Sequence, residues 1–297
     1  MLPEVSGFWQ WALYIRRRAE THGRQVVYIN IDESSILQSC PSRKGICLRR
    51  RYWPSKRLPA GPSAQHRRRG AVSLVAMISS KGSLQRKLPQ IIISNTKVLP
   101  KKAIQHVPQG SVKFWRRSSS WVNKDVMVDI LKELSHVLPR SDSVQYVVLL
   151  DCCAVHLSEP VLREFRRQSW WPLFVPPHCT ALLQPLDCTV FGPLKESYRK
   201  GLRLLKSQHP DRHFSARQWV DLLSHVTQNR LCETKWTNSF FSVGVQGHGA
   251  SLNTDLQHLQ LAYPSTGEKP AAPGLLPQGR EALMSLLLDC PRQRLRL

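Results

Sequence analysis

Three aspartates in this chain stand where they could do chemistry together. Asp151 ends the apolar run Tyr146-Val147-Val148-Leu149-Leu150, and Asp32 ends a second one, Val26-Val27-Tyr28-Ile29-Asn30-Ile31. Asp187 closes Gln184-Pro185-Leu186-Asp187 and opens an amphipathic segment through Phe191, Leu194 and Tyr198. Three carboxylates delivered by three separate elements suit a divalent ion such as Mg²⁺. Such an ion binds through a few carboxylates and completes its shell with water and phosphate oxygens. Two such ions, roughly 3.5–4 Å apart, can hold the attacking and leaving oxygens of an in-line phosphoryl displacement. Each acid alone has an ordinary explanation as a turn residue or helix cap. Glu33, beside Asp32, would face the other way if the strand continues, so it stays out of the metal set. His156, His178 and Cys179 offer a zinc-type set, but their spacing fits no common ligand pattern.

Positioning these acids takes a mixed set of elements. Residues 7–20 carry an amphipathic helix stopped by Gly23, followed by a buried strand over residues 25–31. Two more strands, Ala71–Ser79 and Gln90–Asn95, turn at Lys81-Gly82 and complete an antiparallel meander. Asn123 caps a helix whose apolar positions Val126, Met127, Ile130, Leu131, Leu134 and Leu138 share one face, with Pro139 as its stop. Strand 145–150, a helix over 158–168, strand 171–175 and a helix after Asp187 follow. The expected fold class is α/β, a mixed sheet with helices on its faces and a C-terminal helical extension. The expected division is a helical lead-in at 1–24, a main domain at 25–206, a helical extension at 207–245 and a low-order tail at 246–297. Ser215 and Gln218 form a capping box in the extension. Within the tail only Glu281–Leu288 keeps helical periodicity.

Charge points to the partner. Lys and Arg number 43 against 20 Asp and Glu, a formal net charge of +23. That excess favours a polyanion, with nucleic acid first and a membrane surface second. No apolar run approaches the roughly 20 residues of a spanning helix, and the first residues lack the pattern of a secretory signal. The eight cysteines show no paired spacing and are expected to be reduced thiols in the cytosol or nucleus. The basic residues concentrate at about 40–70, where Arg49, Arg50 and Arg51, then Arg67, Arg68 and Arg69, are set among prolines. Tyr52 and Trp53 interrupt them. This pattern suits phosphate contact with base stacking. Lys195, about two turns past Asp187, is a further candidate for a phosphate.

The motifs also carry a family resemblance. Tyr28-Ile29-Asn30-Ile31-Asp32-Glu33-Ser34, Leu149-Leu150-Asp151 with His156, Phe174-Val175-Pro176-Pro177-His178-Cys179-Thr180 and Leu183-Gln184-Pro185-Leu186-Asp187-Cys188-Thr189-Val190-Phe191-Gly192-Pro193-Leu194-Lys195 resemble the DDE superfamily of transposases, in its pogo and Tigger branch related to mariner elements. The resemblance spans about residues 20–245, and the 35 residues between Asp151 and Asp187 fit that branch. It implies a ribonuclease H-like fold in which Asp32, Asp151 and Asp187 hold two Mg²⁺ or Mn²⁺ ions. It implies DNA nicking and strand transfer in the nucleus, with a homodimer left open. Two departures weigh against catalysis. Cys152 stands where the family usually has Asn. The 24 residues before the first strand are too few for the family's helix-turn-helix modules. The alternative expectation is therefore a truncated or domesticated nucleic-acid-binding protein without catalysis.

Overall fold

The structure is a computed structural model and describes residues 2–38, 71–108, 110–208, 214–247 and 251–269. The arginine triplets at 49–51 and 67–69, and the periodic stretch at 281–288, lie outside the described residues.

Helix α1 (Leu2–Thr21) buries Val5, Phe8, Trp9, Ala12 and Ile15. Gly23, at φ 67°, turns the chain out of it, a conformation that residues with a Cβ avoid. Strand β1 follows (Gln25–Leu37), then β2 (Ala71–Ser79), β3 (Gln90–Asn95) and β4 (Val112–Arg117). Helix α2 (Lys124–Ser135) begins at Asn123, whose side chain accepts from the Val126 amide as expected. Strand β5 (Val144–Asp151), helix α3 (Glu159–Gln168) and strand β6 (Trp171–Val175) come next. A one-turn helix (Thr180–Leu183) and a π-helical turn (Leu186–Val190) lead into helix α4 (Phe191–Ser207). Helix α5 (Ala216–Thr227) carries the expected capping box between Ser215 and Gln218.

The strands form one sheet in the order β4-β3-β2-β1-β5-β6. β1 pairs antiparallel with β2 and parallel with β5; β2 pairs antiparallel with β3, which is parallel to β4, and β5 is parallel to β6. Only β2 runs against the rest, so the sheet is mixed and flanked by helices, as expected, with a helical C-terminal region. β1 runs beyond the expected strand. Its residues past Ile31 keep pairing with β2 out to Leu37 opposite Ala71, so Asp32 sits inside the strand rather than at its end. β4 was not among the expected strands. Its Val112-Lys113-Phe114-Trp115-Arg116-Arg117 is short and charged, and it gains its pairing only from β3. Residues 251–269, within the segment expected to be of low order, run back along α1. Gln10 donates to the Thr266 and Glu268 carbonyls, and Tyr263 packs 5.4 Å from Trp9.

One buried side chain joins the three elements that matter most. Asn30, with no exposed surface, donates through Nδ2 to the Leu149 carbonyl of β5 at 3.2 Å. Its Oδ1 accepts the Leu186 amide, in the turn that carries Asp187, at 2.9 Å. A buried amide N–H left without a partner costs about 1–3 kcal/mol. Asn30→Leu keeps the volume and removes both bonds. It should lower stability by about 2–3 kcal/mol in urea unfolding, whereas an unchanged midpoint would show that the amide ties nothing.

Candidate metal centre

Asp32 and Asp151 each lie two residues beyond the last β1–β5 pair, Asn30 opposite Leu149. Neighbouring strands stand roughly 4.8 Å apart, so the parallel register brings the two acids to adjacent positions. Asp187 comes from the π-helical turn after Pro185, held to β1 by Asn30. The turn runs directly into α4 while Leu186 and Val190 stay buried.

The charges of the acids reach one another. Burial, then the charge of Asp187 and that of Glu33, push Asp32 up to about 8. Asp187 is raised by burial and by Asp151, with Lys195 working the other way. Repulsion among the acids therefore runs through Asp187, which feels Asp151 and is felt by Asp32. Asp151 differs. Burial opposes its ionised form, but His156 and the Cys153 amide hold its pKa below the ordinary carboxylate range. His156 Nδ1 lies 2.6 Å from Asp151 Oδ1, and its Nε2 lies 3.8 Å from Glu33 Oε1. The imidazole is 1% exposed. Burial alone would lower its pKa, yet the hydrogen bond with Asp151, then Cys153 and the nearby Glu33 charge, raise it to about 12. It is a cation clamped between two carboxylates.

That arrangement assigns Glu33 a place the sequence reading had not given it. It is no metal ligand by this geometry; it is the second anion on His156. Alternation along β1 separated it from Asp32 but said nothing of a histidine from the loop after β5. Cys152, where the resemblance expects Asn, is a neutral thiol pushed up to about 12 by burial and then by the Asp151 charge. Lys195 Nζ lies 5.5 Å from the Phe191 ring centre and lowers the Asp187 pKa, so it belongs to the rim of this site. The zinc-type set does not assemble. His178 is exposed at φ 62° and Cys179 is buried. Among the described residues the metal-compatible His/Cys/Asp/Glu group is Asp151, Cys153 and His156, and its imidazole already bridges two carboxylates.

The donor set fits a hard divalent cation. Asp32 and Asp187 offer oxygens whose negative charge the chain leaves under-compensated. Beside Asp32, the fully buried Gln184 amide has neither its oxygen nor its nitrogen in a well-formed hydrogen bond, although its proximity lowers the Asp32 pKa. A divalent cation with its water would satisfy both the spare amide and the raised carboxylates.

A family model described as DDE superfamily endonuclease matches residues 72–227. That is more than half of the chain, which therefore belongs to this family. Asp151 and Asp187 fall inside the match, and Asp32 lies before it. Among curated proteins, the MFS-type transporter clz9 of Cochliobolus lunatus is 23% identical over 128 residues, 43% of this chain and 14% of that protein. No described helix is long and apolar enough to cross a membrane. Solved structures that resemble the chain include the Mos1 transposase paired-end complex with the left transposon end, at 13% identity and a TM-score of 0.40, covering 80% of this chain and 60% of that one. The Mos1 mariner paired-end complex with Mn gives 14% identity and the same TM-score, with 82% and 63% covered. The chain thus spans about three fifths of those transposase chains.

The raised Asp32 pKa sets a testable sign. Its folded-state value lies above its unfolded one, so the folded state binds the extra proton between roughly pH 4 and pH 8. Without divalent ions, ionising Asp32 opposes folding more and more as pH rises through that window. Asp32→Asn should therefore gain thermal stability over the parent as pH is raised from 4 to 8 in EDTA. Parallel melting curves across the range would contradict the crowding.

Proposed function

We propose that Asp32, Asp151 and Asp187 form a two-metal centre for DNA cleavage, and that the chain is the catalytic part of a transposase-type nuclease. Membership of the DDE superfamily endonucleases supports the reaction class. The observation that carries the assignment is the parallel β1–β5 register, which sets Asp32 beside Asp151, with the charge of Asp187 acting on Asp32 and that of Asp151 on Asp187. When bound, Mg²⁺ or Mn²⁺ would activate water or a DNA 3′-hydroxyl and stabilise the leaving 3′-oxygen.

The chain's own residues prepare that chemistry unequally. Asp151 is ionised in advance, with one carboxylate oxygen fixed by His156 and the Cys153 amide. Fixing that oxygen leaves the other to serve as a ligand of set direction. Asp32, pushed up to about 8, keeps most of its proton at pH 7, so a bound cation would displace about one proton from it. Lys195 faces Asp187 and is placed to meet a substrate phosphate. The formal charge of +23 favours DNA by its backbone phosphates, with strong salt dependence. On this reading the chain works on DNA in the nucleus.

Cys152 favours a second reading, a DNA-binding protein descended from such a nuclease that no longer cuts. Its thiol cannot offer the amide that the resemblance expects there, and it has no charge to replace it. One experiment separates the two. Supercoiled plasmid incubated with the protein and Mn²⁺ should be nicked. Asp32→Asn, Asp151→Asn and Asp187→Asn should each slow nicking by more than about 100-fold, beyond the 10–100-fold typical of an outer-shell change. Nicking by all three variants at the parent rate would remove the triad. Plasmid binding without nicking by the parent would favour the second reading. Mn²⁺ titration in buffers of different ionisation enthalpy should show the released proton, and Asp32→Asn should abolish that release.

A further inference from the structure

Trp121 is 82% exposed, and nothing in the metal centre uses it. It follows β4, the edge strand that was not anticipated, in Arg116-Arg117-Ser118-Ser119-Ser120-Trp121. Exposing a whole indole to water is unfavourable, because aromatic side chains contribute most when buried. The loop that carries it is tied to a second, basic loop. The loop after β3 brings exposed Lys97, Lys101 and Lys102, and the start of α2 brings exposed Lys124.

The two loops form one rigid piece. Asn95 Nδ2 donates to the Ser118 carbonyl at 2.7 Å, and the Thr96 amide to the Arg117 carbonyl at 3.3 Å. Arg116 Nε donates back to the Leu99 carbonyl at 2.9 Å. Arg117 lies over the Trp115 ring, 5.2 Å from its centre, and bonds Asp129 at 2.8 Å. Lys113 neutralises Glu133. Of the acids on α2 this leaves Asp125 against four exposed lysines. The result is a fixed, positively charged shelf with an indole standing on it.

Topology places this shelf on the working edge of the sheet. β1, β3, β4, β5 and β6 all run in the same direction. The segments after β3 and β4 therefore emerge at the same end as Asp151, which terminates β5. β4 lies three strands from β1, about 15 Å across at roughly 4.8 Å per strand. That is the length of about four base pairs along a duplex axis.

We propose that the shelf grips the DNA strand leading away from the aspartates, with the Trp121 indole stacked on an unpaired base and the lysines on its phosphates. The proposal rests on the DNA reading above and adds the form of DNA held there. Lysine charge alone would suit any polyanion. An exposed aromatic among the lysines selects a strand whose bases can leave their stack, because every base has a face to offer.

The test is fluorescence anisotropy of the full chain without divalent ions, using a labelled single strand and a blunt duplex of equal length. Trp121→Ala should weaken single-strand binding about 5- to 100-fold, as expected for one stacked base. Trp121→Phe should restore most of the loss, and the blunt duplex should change by less than about twofold. Lys101→Glu with Lys102→Glu should weaken both forms and flatten the salt dependence. An exposed side chain carries no folding role, so a circular dichroism spectrum matching the parent is the control. Parent-like single-strand binding by Trp121→Ala would overturn the shelf and leave the DNA reading standing. A parent that binds neither form would overturn both. If Trp121→Ala changes only the oligomeric mass in light scattering, the surface is a contact between copies and the proposal fails.

Discussion

The site depends on the Asn30 side chain more than on any acid within it. Two of the aspartates arrive on β1 and β5, which the sheet register holds side by side without further help. Asp187 has no such guarantee, because it enters from a turn after a proline. The Asn30 amide closes that gap by taking the Leu186 N–H at 2.9 Å while its own N–H reaches Leu149. Both groups are out of water, so each bond is worth more than its surface equivalent and is costly to lose. A metal centre tolerates little slack, and this amide converts a local turn into a fixed position relative to two strands. It does so one residue short of Ile31 and two short of Asp32, on the same strand that carries the first acid.

The charge balance shows the other side of the arrangement. Folding alone would not gather Asp32, Asp151 and Asp187, because burying like charges raises their pKa values and opposes ionisation. The chain relieves this strain at Asp151 only. His156 brings a positive charge into a site with 1% exposure, and Glu33 supplies the second anion that keeps the proton on it. Asp32 and Asp187 receive little relief, apart from Lys195 at the rim and the Gln184 amide beside Asp32. Perturbed carboxylates in one cluster mark functional sites because nothing in stability rewards them. A basic protein could have placed an arginine there; this one leaves the interior of its site acidic and carries its positive charge elsewhere.

Much of this was legible in the sequence, and the gaps have physical causes. The runs Val26–Ile31 and Tyr146–Leu150 are continuous because their strands are buried on both faces, which made both strands legible up to Asp151 and, short of its true end, Asp32. Asn123 and the Ser215–Gln218 pair announced their helices because capping is a local interaction. β4 escaped because Lys113, Arg116 and Arg117 break its apolar character and its pairing with β3 is not local. The extension of β1 to Leu37 escaped for a related reason: Glu33, Ser34 and Ser35 have weak strand preference, and β2 imposes the conformation from across the sheet. The roles of Asn30 and Glu33 were invisible, since each depends on a partner far along the chain, Leu186 for one and His156 for the other.

Asp32 carries the most inference, because it precedes the segment that the family model matches while Asp151 and Asp187 lie within it. Its place in the centre rests on position and energy instead. A structural aspartate inside a buried strand would be expected to find a cation or several N–H donors, since burying an unpaired charge is costly. Asp32 is 8% exposed and accepts one well-formed bond, the adjacent Glu33 amide at 2.8 Å. Capping and turn formation are ruled out by the strand itself, which continues five residues further to Leu37. Burial and Asp187 push such an acid up to about 8, the kind of perturbation that the proposed cation would relieve.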